Sequence, residues 1–286
     1  MSLRARFASA AAVFALLLSG AASAQTLYVA TGSNGVAGQL FSVDPTTATA
    51  TLVGPILEGA SPISITGMAF AGGTMYAVSG GSPTDARSLF TINLQTGAAT
   101  RIGAAGVLLA SDLSFGPGGL FAWQQGGANV LSRVNTATGV PTPLGAAGLG
   151  GTTGGGLAIN SAGTAYVSVT GGNGTLDTVN TTTGAGTAGP AITGATFTNS
   201  MNAMAFRGAT LFAVNSNNGG TALTNLVTIN TTTGAVTVIG ALPNNTDAMA
   251  FGALPGGIPT LSDWSLILMA LLLATLGSAT LASRKP

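Results

Sequence analysis

The chain has 286 residues and a net charge of +1, with no histidine, no cysteine and 5% charged residues, where ordinary globular domains carry about 25%. Those absences remove the commonest general base, the softest nucleophile, the usual zinc and copper ligands, and any disulfide. The lysine and arginine residues form no cluster able to neutralise phosphates, so nucleic acid is excluded as a partner.

The first element is Met1 to Ala24. Arg4 and Arg6 supply a positive head, Ala10 to Leu18 is an unbroken apolar run, and Ala22-Ser23-Ala24 places small residues before Gln25. That three-part pattern predicts a signal peptide cleaved after Ala24, leaving Gln25 as the mature start. The apolar run is short of the roughly 20 residues a membrane span needs.

From Gln25 to Gly257 the chain repeats itself. The segments beginning at Leu40, Leu89, Leu131, Leu176 and Leu226 each run apolar-polar into an Asx residue: Asp44, Asn93, Asn135, Asn180 and Asn230. Four of the five reach a glycine four positions later, at Gly97, Gly139, Gly184 and Gly234, and the first has Ala48 there. An Asx residue opening a turn that glycine completes is hairpin chemistry. A second column holds Tyr28, Tyr76, Phe121, Tyr166 and Phe212. A third holds the strands led by Met68, Leu113, Leu157, Met204 and Met249, spaced 45, 44, 47 and 45 residues apart.

A unit of about 45 residues with four short strands suits a propeller blade. The first copy lacks a Met-Ala-Phe strand before Leu27, and Met249-Ala250-Phe251 has no blade after it. A ring satisfies both ends. The expected fold is all-β, a five-bladed β-propeller over residues 25–257 closed by its own terminal strands. A β-solenoid and an irregular β-sandwich are the alternatives. Five equivalent aromatics are expected to wedge between blades rather than to form a ligand platform.

Candidate site residues are few. Asp112 and Asp247 lie just ahead of inner-strand apolar residues and are expected near one mouth of the ring, where oxygen ligands can hold Ca²⁺. Capping of turns by Asx side chains is the simpler account of both. In the third repeat Trp123 stands where Val78 and Val214 occur elsewhere, and Gln124 follows it. An aromatic followed by an amide suits carbohydrate, while a larger core filler explains the same tryptophan. The one glutamate is Glu58, and no two carboxylates are grouped in sequence. Glycosidases need paired carboxylates, so no catalytic residue, cofactor or metal is expected.

The last element, residues 258–286, begins Ile258-Pro259-Thr260-Leu261-Ser262-Asp263-Trp264. Leu266 to Ala282 is free of charge, and its seventeen residues as a helix rise about 25 Å. Trp264 sits where an interfacial anchor belongs, and Arg284 with Lys285 stop the segment on the cytoplasmic side. Ile-Pro-Thr-Leu followed by Ser-Asp-Trp, a hydrophobic helix and a basic end resembles the IPTL-type C-terminal sorting domain of Gram-negative bacteria. That domain is similar in layout to PEP-type signals handled by exosortase-like membrane transpeptidases. Two terminal cations are fewer than such tails often carry. The resemblance implies a membrane-inserted tail, a processing partner that recognises Ile258 to Leu261, and export through the inner membrane to the surface or beyond.

Together these readings give an exported, non-catalytic surface or matrix protein whose propeller meets polysaccharide or protein. A periplasm-facing, glycosidase-like enzyme and a structural filler of secreted polymer are the competing functions.

Overall fold

A computed structural model describes residues 25–80, 87–106, 108–124, 129–150, 155–169, 174–197 and 201–253. The predicted signal peptide, residues 1–24, and the predicted sorting tail, residues 258–286, lie outside them. Five four-stranded antiparallel sheets and one short two-stranded hairpin, Leu57–Glu58 with Ser61–Pro62, make up the sheet structure of the described residues. Blade two runs outward through Ile65–Ala71, Thr74–Ser79, Leu89–Ile92 and Ala99–Ile102. Blade three follows with Ala110–Gly116, Gly119–Gln124, Val130–Val134 and Pro141–Ala146. Blade four is Leu157–Ile159, Ala165–Val167, Asp177–Val179 and Gly186–Thr187, and blade five is Met201–Arg207, Thr210–Ser216, Thr224–Ile229 and Val236–Leu242.

Blade one closes the ring. Its inner strand is the last of the domain, Thr246–Gly252, and it pairs with the first, Thr26–Thr31, ahead of Gln39–Val43 and Ala50–Pro55. Leu27 faces Phe251 and Thr26 faces Gly252. Each of the five inner strands touches the inner strands of both neighbouring blades. The pairing covers the inner edge of Thr26–Thr31 and the outer edge of Thr246–Gly252, which left open would invite aggregation.

The three repeat columns have physical causes. In every blade the aromatic column faces the small middle residue of the inner strand: Tyr28 opposite Ala250, Tyr76 opposite Ala69, Phe121 opposite Ser114, Tyr166 opposite Ala158 and Phe212 opposite Ala205. In three blades the ring then meets the inner-strand Phe of the next blade. Tyr76 meets Phe115 at 5.5 Å, Tyr166 meets Phe206 at 5.6 Å, and Phe212 meets Phe251 at 5.1 Å. The aromatics are inter-blade wedges, and each blade interface has its own buried apolar cluster. Arg101, Arg133 and Arg207 lie over Phe90, Phe121 and the Phe212/Phe251 pair.

The Asx residues organise the outer hairpins. Asn93 Oδ1 accepts the N–H groups of Gln95 at 2.9 Å and Thr96 at 3.1 Å, and its carbonyl accepts Gly97 N–H at 2.9 Å. Asn135, Asn180 and Asn230 repeat this arrangement. Asp44 accepts both the N–H and the hydroxyl of Thr46, which holds its carboxyl below the usual range. In that first copy Ala48 itself takes the left-handed conformation, with φ of 61°. The second glycine column serves close approach. A Cβ on Gly103 would stand 1.9 Å from the Thr138 carbonyl in the next blade's hairpin, and one on Gly240 would stand 3.1 Å from Thr47 across the closing interface.

Strand direction gives the ring two faces. The turns within inner hairpins, the Asx hairpins and both ends of the domain lie on one face, called the base. The connections between blades and those between second and third strands lie on the other, the loop face.

Candidate functional site

The inner strands share a device that the repeat columns do not reveal. Four of them carry a β-bulge near the loop face, where register shifts by one residue at Thr66, Ser111, Asn202 and Asp247. A bulge inserts an unpaired residue and re-aims its neighbours. Asp112 and Asp247 therefore lie within the inner strands rather than ahead of them, and they are not equivalent. Asp247 is a bulge residue; Asp112 is the residue after one, aligned with Gly67, Ala203 and Ala248.

Asp112 is fully buried. Its Oδ1 accepts Leu113 N–H at 2.8 Å, and its Oδ2 accepts Leu157 N–H at 2.8 Å and Met204 N–H at 3.0 Å. One carboxylate thus joins the inner strands of blades three, four and five. Burial pushes its carboxyl well above the usual range, three N–H donors pull it back, and the charge of Asp247 adds a small upward push. Its neighbours must be small: a Cβ on Gly67 would stand 2.5 Å from Asp112 Cα. Ser114 works beside it, accepting Ile159 N–H at 2.9 Å. The column held a legible signal, since a lone Asp among Gly and Ala marks a position where one side chain fills space shared by several blades.

Asp247 is half-buried at the mouth on the loop face. Its Oδ1 accepts Asn202 Nδ2 at 2.7 Å, and the same amide nitrogen reaches Asn218 Oδ1 at 3.1 Å. Burial raises the Asp247 carboxyl to about 7, against smaller lowering contributions from Asn202 and the nearby Ser33 hydroxyl. Asn34 Nδ2 bridges to the Gly219 carbonyl at 2.8 Å, tying a loop of blade one to a loop of blade five. Amide groups therefore dominate this part of the mouth. Among the described residues no three acidic or imidazole/thiol side chains gather as a metal cage would require.

Trp123 pairs with Asp112 across blade three and is fully buried in the core shared by blades three and four, so its ring offers no face to solvent. Among the described residues its indole Nε1 finds no hydrogen-bond partner. Gln124 Oε1 accepts the Ser132 hydroxyl at 2.6 Å. Glu58 forms an ion pair with Arg101, which also donates to Ser88 Oγ, pinning the short hairpin of Leu57–Glu58 and Ser61–Pro62 to blade two. The structure brings Asp247 and Asn202 together. It places Trp123 and Gln124 in a different blade, engaged with their own neighbours.

At the base, around the ring axis, a cavity of about 140 Å³ is lined by Met68, Phe70, Phe115, Met204, Phe206 and Gln25, among others. Among the described residues no helix is long and apolar enough to cross a membrane. The predicted signal segment with Ala22 and Ala24, and the residues Ile258, Pro259, Thr260, Leu261, Trp264, Arg284 and Lys285, fall outside that description.

Fold and sequence define an all-β, five-bladed propeller followed by a C-terminal sorting signal. Residues 257–283 match the IPTL-CTERM motif. No curated protein matches the chain. The motif marks an exported protein, directed to the envelope by a signal that a processing enzyme recognises.

Proposed function

We propose that the chain is a non-catalytic cell-surface or extracellular-matrix protein whose propeller recognises polysaccharide and whose tail directs envelope sorting. The observation that carries this reading is the IPTL-CTERM match beginning at residue 257, five residues beyond the strand that closes the ring. Export begins with cleavage after Ala24. The tail inserts with Trp264 at the outer interface and Arg284 and Lys285 inside. A transpeptidase of exosortase type then acts at Ile258 to Leu261.

The catalytic alternative loses support from where the acids are. Both oxygens of Asp112 are occupied by main-chain N–H groups, and Glu58 is held by Arg101. A glycosidase needs one carboxyl to protonate the leaving group and another to attack or to activate water. Among the described residues Asp247 alone has the raised, half-exposed character of an acid. Amide groups of Asn202, Asn218 and Asn34 at the same mouth match the hydroxyls of a neutral sugar better than they match a reacting centre.

The test is to incubate the purified propeller with neutral and acidic polysaccharides and measure both retention and turnover. Retention on a polysaccharide, weakened by Asn202→Ala, with substrates unchanged, is the expected outcome. Turnover that disappears in Asp112→Asn or Asp247→Asn would make the protein an enzyme.

A further inference from the structure

Both ends of the propeller domain leave from one place. Thr26 pairs with Gly252 at the base, where the other blades have a tight turn joining inner and second strands. The motif begins at residue 257. Six residues from Gly252 to Ile258 reach at most about 21 Å, and thirteen to Ser265 at most about 45 Å, even fully extended. Reaching the loop face from the base means crossing a blade about 15 Å wide and climbing a strand of about 23 Å. That path leaves almost no slack for any connection ahead of the membrane.

Charge follows the same division. Among the described residues the base carries Arg133, Arg207 and one acid, Asp44. Glu58, Asp112, Asp177 and Asp247 all lie toward the loop face, with Arg87 and Arg101. The acids toward the loop face are buried or paired. The base instead presents Arg133, Arg207 and Asp44 on its surface, a net positive set that suits an anionic lipid surface, and its hairpins expose threonine.

We propose that the base of the propeller, centred on Thr26 and Gly252, faces the lipid surface while the tail is inserted, so that the loop face with Asn202 and Asp247 points outward. This rests on the reading of the tail as a membrane-inserted sorting signal. It fixes which face is free to meet polysaccharide before processing occurs.

The chain contains no cysteine, so single labels can be placed cleanly on the full-length protein. Thr232→Cys marks an exposed hairpin position on the base, and Leu223→Cys marks the loop face, where that side chain is 49% exposed. Each variant is given an environment-sensitive fluorophore and reconstituted into vesicles of phosphatidylcholine and phosphatidylglycerol containing a headgroup quencher. Quenching at position 232 is expected to exceed that at 223 by at least twofold. Equal quenching, or more at 223, in protein that floats with the vesicles overturns the orientation and leaves the tail reading intact. Protein that does not float with the vesicles removes the tail reading, and the orientation with it.

Discussion

Asp112 Oδ2 accepts the main-chain N–H of Met204 at 3.0 Å, across 92 residues of sequence. The same oxygen takes Leu157 N–H, 45 residues away. Two blade boundaries therefore depend on one side chain. Asp112→Ala would leave buried N–H donors without acceptors, at about 1–3 kcal/mol for each group orphaned. For a domain of this size, 1 kcal/mol lowers Tm by roughly 2–4 °C. Calorimetry of Asp112→Ala should show a fall of roughly 6 °C or more. A change within 2 °C would mean that the carboxylate is dispensable to the ring.

The pH dependence has a definite sign. Burial moves the Asp247 carboxyl from 3.8 up to about 7, and Asp112 shifts in the same direction. Between those values the folded state keeps a proton that the unfolded chain has released. Stability therefore falls as pH rises through the window from 3.8 to about 7. Tm at pH 5 should exceed Tm at pH 8, and Asp247→Asn should flatten the slope. A domain more stable at pH 8 than at pH 5 would contradict this assignment.

Ring closure is tested by cutting it. A chain of residues 25–257 should fold as a soluble monomer, whereas one ending at Gly240 loses the inner strand of blade one and should aggregate. Phe251 is 6% exposed, and Phe251→Ala should cost about 3–5 kcal/mol while still allowing folding. Cooperative melting of the Gly240 chain at the same temperature as the longer one would rule out closure by Thr246–Gly252.

Two glycines separate conformation from contact. Gly103 and Gly106 have similar positive φ, 71° and 77°, yet a Cβ meets the Thr138 carbonyl at 1.9 Å in the first and nothing within 4 Å in the second. Alanine at either position carries the strain of left-handed backbone, on the order of 1 kcal/mol. Only Gly103→Ala must also push two blades apart. Its Tm should fall clearly below that of Gly106→Ala, and equal losses would show that the close approach is unimportant.

Much of this architecture is legible in the sequence because propeller blades repeat the same local chemistry. The Asx hairpins, the aromatic column and the missing first strand are periodic or terminal features, and each corresponds to an observed contact. The site is less legible for a physical reason. A bulge adds one residue without disturbing the apolar alternation after it, so Asp112 and Asp247 look alike in sequence although one follows the bulge and the other is the bulge. The partners of Asp112 are main-chain groups of distant blades, which no residue type announces. Trp123 reads ambiguously because an aromatic at a strand end fills a core or faces a sugar with the same residue. Burial decides that question, and burial is set by Leu157, Val167 and other residues of the next blade.

The intact mass of the envelope-localised protein tests the account most directly. The expected species begins at Gln25 and has lost the segment after about Thr260, either as free protein or joined there to an envelope carrier. Fully localised protein that still carries Arg284 and Lys285 would contradict processing and reduce the tail to a plain membrane anchor.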